Sequence, residues 1–406
     1  MKEKIVIAGA GHAAGQVVAT LRQKKHEGEI VLIGEEHWLP YQRPPLSKKF
    51  LAGEMPAERL FVKPPSFYED PRITVKLDTT VEAIDCKKKT LRLSPRETVQ
   101  YHKLVLALGS RVRRLPSLPG ADLAGIHYLR NVRDVQAIQG DMQEGRNLVI
   151  IGAGYIGLEV AAVASGCGLN VTVVEMQDRV MKRVVAPQVS EFYQKEHRAQ
   201  GVELRLKTGL KGFSGNGRVR SVQLSDGTEI PADLVVIGIG IVPNSELAAA
   251  AGLEVENGIV VDDRCRTSDG DIYAVGDCTF HPSAVMGCSI RLESVQNALE
   301  QARTAAANLC GEDLHYDQVP WFWSDQYDLK LQIAGVAQGY DSAIVRGARH
   351  ERSFSCVYLN EGRILAVDAV NTPRDFLQAK KLIADRAVMD LGRLADSTIE
   401  LKDLVV

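Results

Sequence analysis

One pattern, present twice, limits what this chain can fold into. Ile5-Val6-Ile7-Ala8-Gly9-Ala10-Gly11-His12-Ala13-Ala14-Gly15 and Val149-Ile150-Ile151-Gly152-Ala153-Gly154-Tyr155-Ile156-Gly157-Leu158-Glu159 each read as a short apolar strand, a glycine turn and the start of a helix. A second β-branched run follows each, Glu29 to Ile33 before Glu35, and Asn170 to Val174 before Glu175. A helix between two strands returns the chain to the same end of the sheet, so the strands pair in parallel. The expected class is therefore α/β, with two Rossmann-like, doubly wound units rather than a repeat array. At 406 residues the chain exceeds one compact core and calls for two or three domains.

The glycines carry a chemical meaning. A dinucleotide presents a charged pyrophosphate, and a helix N-terminus presents unpaired N–H groups with partial positive charge. In the first unit Gly9 makes the tight turn and Gly11 lets the backbone approach the phosphate. The small Ala14, followed by Gly15, lets helix and strand pack closely. In the second, Gly152, Gly154 and Gly157 give the strict GxGxxG form. An acid ending the next strand accepts from ribose hydroxyls. Glu35 lies 21 residues past Ala14, and Glu175 lies 18 past Gly157, against a usual interval of ~20. One GxGxxG is weak evidence, since glycine turns are common. Two, each in full context, predict two bound dinucleotides. Glu175 favours a free 2′-hydroxyl, hence NADH, and Arg179 four residues on is the type of side chain that would receive a 2′-phosphate instead.

Composition removes other classes. A net charge of −2 gives no global attraction to nucleic acid or to an anionic membrane. The seven cysteines are widely spaced, with no CxxC or CxxxxC pair, which speaks against a disulfide scaffold, a zinc site or an iron–sulfur cluster. The nine histidines are scattered, and no metal is expected. Met1 to Gly9 lacks the pattern of a secretory leader. Leu148 to Leu169 is long and apolar enough to imitate a membrane span, but its five glycines and Glu159 predict a buried strand, a turn and a buried helix. The expected location is the cytoplasm, with no membrane insertion.

Beyond the glycine units, the chain resembles the FAD-dependent ferredoxin reductases that serve bacterial oxygenases, of the putidaredoxin reductase type. The match covers nearly the whole chain. It rests on Tyr41-Gln42-Arg43-Pro44-Pro45-Leu46-Ser47-Lys48, Ala107-Leu108-Gly109, Gly238 to Asn244, Thr267 to Asp277 and Trp321-Phe322-Trp323-Ser324-Asp325-Gln326. The glycine and Gly-Asp motifs mark only the wider superfamily; the Arg-Pro-Pro-Leu-Ser-Lys and Phe-Trp-Ser-Asp-Gln runs are more specific. The resemblance implies an FAD domain over 1–110 and 242–320, an NAD domain over 111–241, and a C-terminal α+β domain over 321–406 that covers the flavin. From Trp321 onward strands are expected to alternate with short helices, one opening at Pro373 behind a capping Asn371 or Thr372.

The resemblance also implies residue roles. Gly9, Gly11, Ala14, Glu35, Arg43, Pro44, Lys48, Ala107, Gly109, Arg130, Asp277, Val295 and Trp323 would hold FAD. Gly152, Gly154, Tyr155, Ile156, Gly157, Glu159, Glu175 and Gly240 would hold NADH. Lys48, Glu159 and Trp323 would stand at the reacting rings, with Lys48 and Glu159 paired. Read from the residues alone, each has a plainer alternative: Lys48 a solvated lysine, Glu159 a dipole-favoured cap, Trp323 core packing, Asp277 a helix N-cap. Electrons would leave to a [2Fe–2S] ferredoxin feeding a monooxygenase or dioxygenase, with Arg303 and Lys330 as candidate contacts to an acidic partner. Three rivals are weighed against this reading, the first of them nearly excluded by the residues. A flavin disulfide reductase needs a redox cysteine, and none lies between Gly9 and Leu77. The others are a rubredoxin or other small-acceptor reductase and a redox-signalling flavoprotein. The sequence leaves oligomeric state open.

Overall fold

The computed structural model describes residues 3–406. The chain divides into two compact units. One comprises the chain up to Arg43, Ala57–Arg111 and Val242–Pro320; the other comprises Pro44–Pro56, Val112–Ile241 and Trp321–Val406.

The first unit is built on a five-stranded parallel sheet in the order Ile272–Ala274, Lys103–Leu106, Ile5–Ala8, Ile30–Ile33, Ile73–Lys76. Ile5–Ala8 and Ile30–Ile33 are buried throughout, which is why they are apolar without alternation. Their side chains still point alternately to two faces. Ile5, Ile7, Ile30 and Leu32 pack with the helices His12–Gln23 and Val295–Leu309 through Val17, Val18, Leu21, Ala302 and Ala305. Val6, Ala8, Val31 and Ile33 pack with the antiparallel strands Val81–Asp85, Thr90–Leu93 and Glu97–Gln100 through Ile84, Leu91, Leu93 and Val99.

The second unit repeats the plan. Its parallel sheet runs Glu203–Arg205, Asn170–Val174, Asn147–Ile151, Leu234–Ile237, Ile126–Tyr128. In both units the glycine-turn strand is central. It is flanked by the strand after its helix and by a later strand, and a three-stranded antiparallel insertion precedes that later strand. Leu148 to Leu169 resolves into the strand Asn147–Ile151 and the helix Tyr155–Gly166. Among the described residues no helix is long and apolar enough to cross a membrane.

The remainder of the second unit is an antiparallel sheet, in the order Trp321–Gln326, Leu329–Gly335, Arg363–Val370, Ser353–Asn360, Ser342–Ala348. This corrects the expected alternation of strands with short helices. The strands come consecutively, with one 3-10 turn at Arg349–Glu351, and a single α-helix, Pro373–Ala384, follows them. Two of the links are two-residue hairpins, Tyr327-Asp328 and Glu361-Gly362, and these are too short for a helix. The expected cap on Pro373–Ala384 is also corrected. Thr372 stands at the N-cap without a side-chain cap hydrogen bond; its hydroxyl donates to the Phe354 carbonyl, while Asn371 Oδ1 accepts the Lys330 N–H. The helix Pro187–Ala199 packs on this sheet, with the Phe192 and Phe354 rings 4.9 Å apart.

Candidate active site

Each parallel sheet collects its marked residues just past the carboxyl ends of its strands, where doubly wound sheets bind ligands. In the first unit Gly9, Glu35, Ala107 to Gly109 and Asp277 follow four of the strands. In the second, Gly152, Glu175, Gly240 and Arg130 do the same. Gly9 and Gly152 have φ of +109° and +104°, and a Cβ there would meet the Ala107 and Gly238 carbonyl oxygens at 2.2 and 2.4 Å. Only glycine makes these turns. A Cβ on Gly157 would meet the Gly152 carbonyl oxygen at 2.1 Å; in the first unit the close approach falls on Gly15, against Pro40 at 2.8 Å, beside the buried Ala14.

Gly11 and Gly154 differ: a Cβ on either would meet no protein atom within 4 Å. Each opens a helix, His12–Gln23 or Tyr155–Gly166, that has neither a capping side chain nor an acid in its first turn. Asn131 caps Val132–Asp141 and Ser294 caps Val295–Leu309, whereas Pro187–Ala199, Glu246–Ala250 and Pro373–Ala384 also lack a capping side chain, so what marks Gly11 and Gly154 is the open space in front of them. An uncapped N-terminus facing open space leaves its N–H donors for an anionic group from outside the chain. Both units thus fit a dinucleotide pyrophosphate. Ile156, 43% exposed on the first turn of its helix, offers apolar surface beside that cradle.

The acids are placed differently in the two units. Glu35 is exposed, whereas its neighbour Glu36 accepts from Arg43 and from the Tyr41 hydroxyl, both at 2.6 Å. Burial opposes the charge on Arg43, but Tyr41, Glu36 and Asp277 outweigh it and raise its pKa. Glu36 went unremarked in the sequence, although two adjacent acids followed by Tyr41 and Arg43 were a signal for such a cluster. Asp277 accepts from Ser110 Oγ at 2.9 Å. The segment after it is the strand Thr279–Ser283, which removes the helix N-cap alternative. In the second unit Glu175 accepts the Ala153 N–H at 2.8 Å and the Gln177 N–H at 2.9 Å, so its carboxylate is anchored to the glycine turn itself. Arg179 turns away from that carboxylate. It donates to the Val185 carbonyl at 2.7 Å, to Ser190 Oγ at 2.6 Å and to the Lys182 carbonyl at 3.1 Å.

Glu159 is the fifth residue of Tyr155–Gly166, two residues past the N3 position of a capping acid and beyond the first turn, so the capping alternative is corrected. It is 1% exposed. Its Oε2 accepts from Lys48 Nζ at 2.6 Å and from Ser47 Oγ at 2.5 Å, and its Oε1 accepts from Ser324 Oγ at 2.6 Å. Lys48 is 17% exposed, so a solvated lysine is not what stands there. The 3-10 turn Pro44–Ser47 and the strand Trp321–Gln326 thereby hold one carboxylate on a helix that starts at a phosphate cradle. Sequence reasoning missed Ser47 and Ser324, though both lie inside quoted motifs. A buried carboxylate needs donors on both oxygens, and hydroxyls beside the lysine and the tryptophan supply them.

Aromatic rings run on from this point. Tyr155 and Phe322 are 5.0 Å apart, Phe322 and Trp323 6.2 Å, Trp323 and Trp321 5.7 Å. Pro44, Lys48, Arg130, Trp323 and the NADH candidates all fall in the second unit, and the other FAD candidates in the first. Val295 is the first residue of Val295–Leu309, and Arg130 donates its N–H to Asp134. Arg303, on that same helix, forms an ion pair with Glu300; Lys330 is exposed in the second unit. The structure does not bring Arg303 and Lys330 together within one unit.

Two family models match: pyridine nucleotide-disulphide oxidoreductase over residues 3–302 and reductase C-terminal over residues 321–405. The chain is 44% identical to rhodocoxin reductase of Rhodococcus erythropolis, over 98% of this chain and 93% of that protein. It is 43% identical to putidaredoxin reductase of Pseudomonas putida, over 99% and 97%. A crystal structure of the covalent putidaredoxin reductase–putidaredoxin complex superposes with a TM-score of 0.96 at 43% identity, covering 99% of this chain and 98% of that one.

Proposed function

Because the chain belongs to the pyridine nucleotide-disulphide oxidoreductase family and carries a reductase C-terminal domain, we propose that it is an NADH-dependent ferredoxin reductase that supplies electrons to an oxygenase. The observation that carries this reading is the pair of uncapped glycine cradles, one per parallel sheet, in a chain alike over its whole length to reductases of small iron–sulfur carriers. The chemistry supplied by bound FAD would be redox: uptake of a hydride equivalent from NADH and release of single electrons to a [2Fe–2S] ferredoxin.

The chain's own residues bind, orient and exclude. Gly9, Gly11 and the N-terminus of His12–Gln23 receive the FAD pyrophosphate; Gly152, Gly154 and the N-terminus of Tyr155–Gly166 receive that of NADH. Glu35 and Glu175 take ribose hydroxyls. Glu175 repels a 2′-phosphate, and Arg179 has turned its donors to backbone carbonyls, which supports NADH over NADPH. Lys48 acts at the flavin edge and Glu159 at the nicotinamide, a pair kept nearly dry so that its field is little screened. Trp323 contributes a flat apolar surface to the flavin. Among Arg303 and Lys330, we assign the stronger ferredoxin contact to Lys330, since Glu300 neutralises Arg303. The reading places the protein in the cytoplasm, where NADH is supplied, in keeping with seven free cysteines.

The test is two-part. Stopped-flow mixing with NADH must bleach the flavin, with NADPH far slower. Steady-state turnover is then compared across several [2Fe–2S] ferredoxins, a rubredoxin, a quinone and ferricyanide. Fast turnover with one ferredoxin supports the proposal; preference for rubredoxin or quinone overturns the acceptor, and no bleaching overturns the whole reading.

A further inference from the structure

The hydrogen bonds at Glu159 do not end at Ser324. Ser324, Gln326 and His197 are each 0% exposed. Gln326 Nε2 lies 3.2 Å from Ser324 Oγ, Gln326 Oε1 lies 2.9 Å from His197 Nε2, and His197 Nδ1 lies 2.9 Å from the Tyr327 hydroxyl. The chain crosses three elements: the helix Tyr155–Gly166, the strand Trp321–Gln326 with its hairpin residue Tyr327, and the helix Pro187–Ala199.

Its hydrogens are forced in sequence. Glu159, paired with Lys48, is an ionised carboxylate and can only accept, so Ser324 donates its one proton to it. Ser324 Oγ then accepts from the Gln326 amide, which turns the Gln326 carbonyl toward His197. That carbonyl can only accept, so His197 carries its proton on Nε2. Burial lowers the pKa of His197 and keeps it neutral, so Nδ1 accepts and Tyr327 donates. Every bond therefore points the same way, toward Glu159. The run is not a proton relay, because a glutamine amide does not pass protons as a hydroxyl or imidazole does.

We propose that His197, acting through Gln326 and Ser324, is a positioning residue that fixes the Glu159 carboxylate for reaction with bound NADH. The inference rests on the reading that Glu159 acts at the nicotinamide. A donor chain of this kind sets where the carboxylate stands rather than how tightly the nucleotide binds. Misplacing a reacting-site group by about an ångström costs up to ~100-fold in rate, with binding little changed.

The test uses the FAD-loaded enzyme and reads the NADH bleaching rate and the NADH dissociation constant separately, for His197→Phe, Glu159→Gln and the double variant. His197→Phe keeps the ring that faces Tyr327, 5.0 Å away, and removes both hydrogen bonds. Expected are a bleaching rate about tenfold lower in His197→Phe, a dissociation constant changed less than about twofold, and no further loss in the double variant beyond Glu159→Gln alone. A full rate in His197→Phe while Glu159→Gln is slow overturns the positioning role and leaves the Glu159 reading standing. Additive losses in the double variant overturn it as well. A full rate in Glu159→Gln overturns the Glu159 reading and this inference with it. If His197→Phe does not fold, Ser324→Ala against Ser324→Thr asks the same question: restoration of the rate by the threonine hydroxyl supports the chain, and equal rates in the two overturn it.

Discussion

Arg179 has the charge to hold a 2′-phosphate and stands four residues from Glu175, yet its guanidinium closes the loop after that glutamate by three hydrogen bonds. Replacing it with alanine leaves the Val185 and Lys182 carbonyls without those donors and should cost roughly 1–3 kcal/mol of stability in urea unfolding. The NADH:NADPH ratio of kcat/KM should stay within about twofold; a large shift would mean that Arg179 reaches the nucleotide after all. Glu175→Ala should act in the opposite sense, with little loss of stability and a ratio lowered about tenfold, or ~1.4 kcal/mol. Lys48 is a third case. Its removal in Lys48→Met leaves a carboxylate that is 1% exposed with two hydroxyl donors and no counter-charge. Breaking a buried pair from one side costs about 3 kcal/mol, and more than the pair itself is worth. Denaturant midpoints measured on the FAD-loaded protein check this, and an unchanged midpoint would show that water reaches Glu159.

A helix N-terminus that is uncapped and faces open space can be closed by a single substitution, one element at a time. Gly154 has φ of −80°, an ordinary value for any residue, and a side chain there meets open space. Gly154→Asp should therefore cap Tyr155–Gly166, raising stability by about 0.5–1 kcal/mol, while its carboxylate fills the pyrophosphate cradle and raises the KM for NADH more than about tenfold. Stability up with binding down is the expected pair of readings in thermal melts and steady-state kinetics; both falling together would mean that the glycine serves the turn. Elements of this kind were the legible part of the sequence. The strand, turn and helix around Gly9 and Gly152 are encoded within a dozen residues each, so periodicity and glycine placement suffice to read them. The Glu159 network was less legible because Ser47, Glu159, His197 and Ser324 meet only through tertiary packing, and no local pattern records which oxygens a buried carboxylate will find. The C-terminal sheet was misread as alternating strands and helices for a related reason: its hairpin links, Tyr327-Asp328 and Glu361-Gly362, lack the Asn-Gly or Asp-Gly form that marks such turns most clearly.

For the molecule as a whole, a few buried groups contribute to the response of stability to pH with opposing signs. Asp368 is fully buried, and burial raises its carboxyl to about 7 although the Tyr358 hydroxyl donates to it. Between about pH 4 and pH 7 the folded chain keeps a proton there that the unfolded chain has lost, so this group stabilises the fold at low pH and ceases to as pH rises through 7. His281 is buried as well, and burial lowers its pKa to about 4. Between about pH 4 and pH 6.5 the unfolded chain holds a proton that folded His281 lacks, so its contribution is complete above that window and is lost as pH falls. His197 acts with the same sign as His281. Each slope approaches ~1.4 kcal/mol per pH unit where only one of the two states is protonated, and the His281 and Asp368 terms oppose each other over their shared window. Asp368→Asn removes one side of that balance while keeping an oxygen for Tyr358 to donate to. From pH 8 to pH 5 the unsubstituted protein should gain roughly 2–3 kcal/mol relative to the variant. Urea unfolding followed by tryptophan fluorescence reads the change, since two of the three tryptophans, Trp321 and Trp323, lie in the unit that contains Asp368. A stability difference that is the same at both pH values would mean that folded Asp368 is ionised at pH 5, and that a donor other than Tyr358 stabilises its charge.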